Sequence, residues 1–177
     1  MTYLALLRAI NVGGRRVKMD KLRALFEELG FGHVRTYIQT GNVFFDTEET
    51  NLSLLTQKIE NHLRKQLGFE VFVFIRNRLD LNVTLQNNPF FDQTAISETR
   101  FYIMFISKPL QVPIDLPFRV NLKGMEMILL SATEGELFVK VTLLDGIPGN
   151  PMAWIEKNWQ ISVTARFFDT TLKMLSK

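Results

Sequence analysis

Five consecutive apolar residues, Val71-Phe-Val-Phe-Ile75, lie between Glu70 and Arg76 and constrain this chain more than any other feature. The run has no alternation, so a strand built from it has two apolar faces. A sheet containing that strand must be covered on both sides. Residues 3–7 and 101–106 are equally apolar and impose the same demand. With 177 residues the chain can bury a sizeable core as one large domain or two small ones.

The first half reads in a definite order. Residues 3–10 form a strand, and Met19, Leu22, Leu25, Phe26 and Leu29 then recur at helical spacing with Gly30 as a stop. Residues 34–39 form a second strand, Thr40-Gly41-Asn42 a tight turn, and residues 43–46 a third strand. Asn51 caps a helix whose stripe is Leu52, Leu55, Ile59, Leu63 and Leu67, with Gly68 closing it. Residues 70–76 complete β-α-β-β-α-β, the ferredoxin-like arrangement, within residues 1–77. Such a sheet has helices on one face only. The remainder, 78–177, is expected to form a second α+β lobe packed on the first as one body; a second subunit is the other available cover.

That second half predicts a short helix at 79–86, ended by Asn88-Pro89. Strands follow at 101–107, 118–122, 125–131 and 137–143, with Pro109, Pro113 and Pro117 making a rigid connector. Asn150-Pro151 is an N-cap followed by Pro at the first helical position. A strand at 161–164 and a final helix capped by Asp169 finish the chain.

Composition narrows the function. The chain has no cysteine, which excludes disulfides, thiolate metal sites and a Cys nucleophile. Its longest apolar runs are far too short to cross a bilayer, and Met1-Thr2-Tyr3 lacks the basic start of a signal peptide, so the expected setting is cytoplasmic, without a membrane partner. Neither G-x-x-x-x-G-K-[ST] nor G-x-G-x-x-G occurs, and His33 and His62 have no partner motif. No metal set, nucleophile or general base stands out, leaving catalytic residues and cofactors unassigned and enzyme status open. The RNA-binding RRM sheet shares the strand order, but only Val43-Phe44-Phe45 echoes its third strand. Asp46, Glu48 and Glu49 read as a solvated acidic turn.

Charge distribution says where a ligand would sit. The net charge is +3, yet residues 8–35 alone hold seven cations (Arg8, Arg15, Arg16, Lys18, Lys21, Arg23, Arg35) against Asp20, Glu27 and Glu28. In a 4-1-3-2 sheet, strands 1 and 2 run parallel, so the loops leaving them share one edge. Residues 11–18 and 40–42 then converge beside Arg8. Arg8, Arg15 and Arg16 would supply charge, and Asn11, Thr40 and Asn42 hydrogen bonds. Gly13, Gly14 and Gly41 would allow close backbone approach to an anion, with Arg166 joining from the second half. The plainer alternative is that the glycines only shape turns and Arg8 pairs a carboxylate such as Glu70.

These same residues carry a resemblance. Ala5-Leu-Leu-Arg-Ala-Ile-Asn-Val-Gly-Gly14, Met19 and Leu22, and Thr36-Tyr-Ile-Gln-Thr-Gly-Asn-Val-Phe-Phe45 resemble a bacterial family known as domain of unknown function 1697. That family reads ALLRGINVGG and then TYI-x-SGN-VVF; Asn88-Pro89-Phe90 and Thr164-Ala165-Arg166 match its later landmarks. Ala9 stands in place of its usual Gly and Thr40 in place of Ser, while Phe167-Phe168-Asp169-Thr170 replaces an Asn-Trp-Asn-Thr run. If that run belongs to a site, this chain has lost amide groups there and kept Arg166 and a carboxylate. The resemblance implies an α+β fold of two lobes related by duplication and no established activity. The leading expectation is binding of a small anionic ligand, a nucleotide or phosphorylated metabolite. The alternatives are nucleic acid at the same basic edge, or a structural or partner-binding module with no ligand. Oligomeric state is left open.

Overall fold

The computed structural model describes residues 1–93, 96–111, 113–144 and 149–177. The fold is α+β, with two antiparallel sheets, and divides into compact units at Met1–Thr84 and Leu85–Lys177.

In the first unit the elements are β1 (Thr2–Arg8), α1 (Met19–Glu27), β2 (Gly32–Tyr37), β3 (Asn42–Asp46), α2 (Leu52–Leu67) and β4 (Phe72–Asn77), followed by α3 (Arg78–Gln86). The strands lie in the order β2-β3-β1-β4, every neighbour antiparallel. Strand pleating sends Tyr3, Ala5, Leu7, Val43, Phe45, Val73 and Ile75 to one face. There they meet Leu22, Leu25 and Phe26 of α1 and Leu55, Ile59 and Leu63 of α2. Phe45 is ringed by Phe31 at 4.5 Å and Phe26 at 5.5 Å. Each large side chain buried this way stabilises the fold by about 1.5–3 kcal/mol. Leu4, Leu6 and Phe44 alternate onto the other face and are fully buried too. The Arg35 guanidinium lies 3.9 Å over the Phe44 ring.

Local chemistry fixes the helix ends. The Asn51 side chain accepts from the Ser53 and Leu54 N–H groups, and Gly68 ends α2 in the left-handed region. At the start of α3, Asn77 Oδ1 accepts from the N–H groups of Leu79 and Asp80. Strand β2 departs from expectation. It begins at Gly32 through a register shift before Arg35, and it stops at Tyr37 because Ile38 turns into the left-handed region (φ 48°).

In the second unit β5 (Thr99–Ile106), β6 (Phe118–Leu122), β7 (Met125–Ala132) and β8 (Glu136–Leu143) are followed by α4 (Pro151–Trp159), β9 (Val163–Phe167) and α5 (Phe168–Leu175). The sheet order is β6-β7-β8-β5-β9. Without β6, the order β7-β8-β5-β9 repeats that of β2-β3-β1-β4. The correspondence reaches single residues. Phe44, Leu4 and Arg76 form one cross-strand row in the first sheet, and Phe138, Ile103 and Arg166 form its counterpart. In each row the Arg Nη1 donates to the carbonyl of the residue before it, Ile75 at 2.8 Å and Ala165 at 2.9 Å. The core of this unit joins Met104, Ile106, Met127, Leu129, Leu137 and Val139 to Ile155 and Val163. Asn150 caps α4 through the Ala153 N–H.

Two expectations here need correction. The strand after α4 starts at Val163, because Gln160 takes a left-handed φ of 52° and 161–162 become a connector. Asp169 does not cap α5; that helix starts directly from the strand, with extended Phe167 in the cap position and Asp169 in the first turn.

Two stability tests follow from this packing. A Cβ on Gly41 would stand 2.4 Å from Ile10 Cγ2 and 3.0 Å from Leu7 Cβ, on a backbone with φ of 74°. Gly41→Ala should cost about 3 kcal/mol or more, from overpacking plus left-handed strain; an unchanged urea midpoint would refute this packing role. The second concerns Glu60, whose Oε1 accepts from the Val73 N–H at 2.8 Å. Burial and the charge of Glu70 push its carboxyl above the ordinary range, outweighing that bond. A raised folded value contributes stability that is full at low pH and lost as pH rises through it. Glu60→Gln keeps an acceptor without the charge. It should melt higher than wild type near pH 7, and the advantage should shrink toward about pH 4.

Candidate functional site

The loop leaving β1 is built from left-handed backbone. Ala9 (φ 62°), Asn11 (57°), Gly13 (59°) and Gly14 (84°) all lie there. Consecutive positive φ values at Gly13 and Gly14 turn the chain tightly, and the Arg15 N–H donates to the Val12 carbonyl at 3.1 Å. The facing segment adds Ile38 and Gly41, also left-handed. Ile38, being β-branched, is the most strained of the six.

Hydrogen bonds lock the two segments together. Leu7 N–H donates to the Gly41 carbonyl at 2.7 Å. Asn11 Nδ2 donates to the Gln39 carbonyl at 3.1 Å, while its Oδ1 accepts from the Val17 N–H at 2.6 Å. Asn42 is completely buried, and its Nδ2 donates to the Tyr37 carbonyl and to Thr40 Oγ1. Loops 11–18 and 40–42 therefore do meet at one edge. The amides of Asn11 and Asn42 are spent on holding them, Gly41 is packed against Leu7 and Ile10, and Thr40 serves Asn42.

The exposed part of the edge is narrower. Gly13, Gly14, Arg15, Arg16 and Lys18 face solvent. Arg15 lies 4.7 Å over the Phe69 ring, which fixes its guanidinium beside the loop. Lys18 occupies the cap position of α1 in extended backbone, with no side chain capping the first turn. Asp20 in that turn is paired with Arg23. Arg8 is half-buried and already partnered within the protein. Cations, glycine backbone and an uncapped helix start together suit an anion.

Arg166 belongs to the second unit. It is buried, and its Nη1 donates to Thr164 Oγ1 and the Ala165 carbonyl. Burial lowers its pKa to about 10, still charged at neutral pH.

A cleft of about 580 Å3 in the same unit gathers Asn88 and Phe90, Thr99 to Phe101, and Phe167 to Thr170 with Leu172. None of these was read from the sequence as a site, although Asn88-Pro89-Phe90 and the altered run after Arg166 were visible as landmarks. Their convergence depends on where β5, β9 and α5 lie. His33 pairs with Asp46 at 2.8 Å and His62 with Glu28 at 3.0 Å, two separate surface pairs. Among the described residues, no group of three or more metal-ligating side chains is gathered, and no helix is long and apolar enough to cross a membrane.

These features define an α+β protein of two units, the first carrying a basic, glycine-shaped loop edge. The chain belongs to the family described as Protein of unknown function (DUF1697), whose model matches residues 1–116. Among solved structures it is similar to a conserved bacterial protein, SP0830, from Streptococcus pneumoniae, at 22% identity and a TM-score of 0.67. That likeness covers 99% of this chain and 98% of the other, and it is one of fold. No curated protein matches the sequence.

The left-handed Ala9 generates a direct test. Ala9→Gly removes its steric strain and should stabilise the protein by about 1 kcal/mol, seen as a raised melting temperature. A lowered one would mean the Ala9 side chain is needed more than its conformation costs.

Proposed function

We propose that this protein binds a small anionic ligand, a nucleotide or phosphorylated metabolite, on the edge made by residues 11–18 with 40–42 behind them. The observation that carries the reading is that Arg16 and Lys18 are exposed and not paired with any carboxylate among the described residues, beside the uncapped first turn of α1. Gly13 and Gly14 let backbone N–H groups approach the ligand, and Arg15 presents a guanidinium from its seat on Phe69. Asn11, Gly41 and Asn42 act behind the surface by keeping the loop in one shape. A preformed loop loses little entropy on binding.

Calorimetry against ATP, ADP, AMP and inorganic phosphate tests this. Arg16→Ala should weaken binding about tenfold or more, as expected for a charge-assisted hydrogen bond of about 1.5–3 kcal/mol. Undiminished affinity in the Arg15→Ala/Arg16→Ala double variant, or no binding by wild type, would end the proposal. A nucleic-acid backbone would use the same cations. Its mark is retention of RNA or DNA that collapses between about 50 and 200 mM salt.

A further inference from the structure

We infer that the cleft of the second unit is a separate binding site, shaped for a planar nitrogen heterocycle. Its size falls within the range of small-molecule sites. Its wall is aromatic. Phe90 packs 4.7 Å from Phe101 and edge-on to Phe168 at 5.0 Å, so three rings from separate chain segments hold one another. Phe167, also lining the cleft, is stacked on Tyr102 at 4.9 Å with 24° between planes. One ring face is thereby taken, yet the side chain stays 48% exposed. A ring held by stacking and still half-exposed where it borders the cleft offers surface to a further flat ring.

The polar groups decide what kind of ring. Asp169 is exposed in the first turn of α5 and meets no cation among the described residues. Asn88 Oδ1 accepts from the Phe90 N–H, leaving the Nδ2 hydrogens to donate. The Thr99 hydroxyl oxygen accepts from the Ile96 N–H and keeps its own proton to give. Arg100 is pinned through Nη1 to the carbonyls of Ser97 and Thr99, so its remaining N–H groups are fixed in direction. A purely apolar guest would cover the Asp169 carboxylate without giving it a partner. A free anion drawn by Arg100 would still meet the Asp169 carboxylate. A planar base with N–H or amino groups for Asp169, and ring nitrogens for Asn88 or Arg100, satisfies both sides and stacks on Phe167. This site uses none of the residues of the loop edge.

Adenosine, guanosine and cytidine, which carry no phosphate, are the probes, titrated into the full chain by NMR and calorimetry. At least one should bind wild type and shift signals of the cleft residues. Phe167→Leu, which keeps apolar bulk, and Asp169→Asn, which keeps an acceptor, should each weaken that binding about tenfold. Both sites are exposed, so unchanged melting temperatures separate lost recognition from lost folding. Arg15→Ala/Arg16→Ala should leave nucleoside binding intact, whatever it does to phosphate. No binding of any nucleoside, or equal binding by Phe167→Leu and Asp169→Asn, overturns the inference.

Discussion

The 2.7 Å hydrogen bond from the Leu7 N–H to the Gly41 carbonyl is the contact on which the first unit's loop edge depends. It draws the turn before β3 against the end of the central strand, closer than any side chain at position 41 would permit. Once the turn is there, Ile38 must reverse the chain and Asn42 must face inward to serve the Tyr37 carbonyl. Asn11 then reaches Gln39 from the other loop and fixes the 11–17 segment through Val17. Backbone and amides are consumed by this junction. The side chains of Arg16 and Lys18, which take no part in it, are left outside.

Much of the fold was legible because its signals are local. Asn51, Gly68 and the Asn150-Pro151 pair act within one helical turn, so the ends of α2 and α4 follow from neighbours in sequence. Continuous apolar runs correctly demanded burial on both faces of the first sheet, as Leu4 and Phe44 show. The errors lie where the chain reverses without a customary residue. Ile38 and Gln160 adopt left-handed backbone that their types seldom enter, so β2 ended early and β9 began late. Asp169 looked like a cap, but α5 follows β9 without the intervening turn that a cap residue needs.

The meeting of the two loops was legible in the sequence, the roles of their residues less so. Glycine placement and strand direction brought the two loops to one edge. The fate of Asn11 depends on a carbonyl 28 residues away, a relation that spacing alone does not encode. The cleft was harder still, since its rings come from three separated segments and each reads in sequence as ordinary core. Only the run Phe167-Phe168-Asp169-Thr170 stood out, and it lines that cleft.

Strain is what separates a fold-holding loop from a presenting one. Left-handed backbone at non-glycine residues costs on the order of 1–3 kcal/mol each and persists only where surrounding contacts over-determine it. Ala9, Asn11 and Ile38 all carry it at one edge, held by the bonds from Asn11, Leu7 and Asn42. A plain connection between β1 and α1 has no need of such a conformation, nor of Arg16 and Lys18 unpaired beside an uncapped helix. Closing the edge would be simple for a chain selected for stability alone: a capping Ser or Asp at position 18 would satisfy the first turn of α1 and lower the local charge. Lys18 there leaves the first turn of α1 uncapped, a departure from the local rule that the proposed anion binding would put to use.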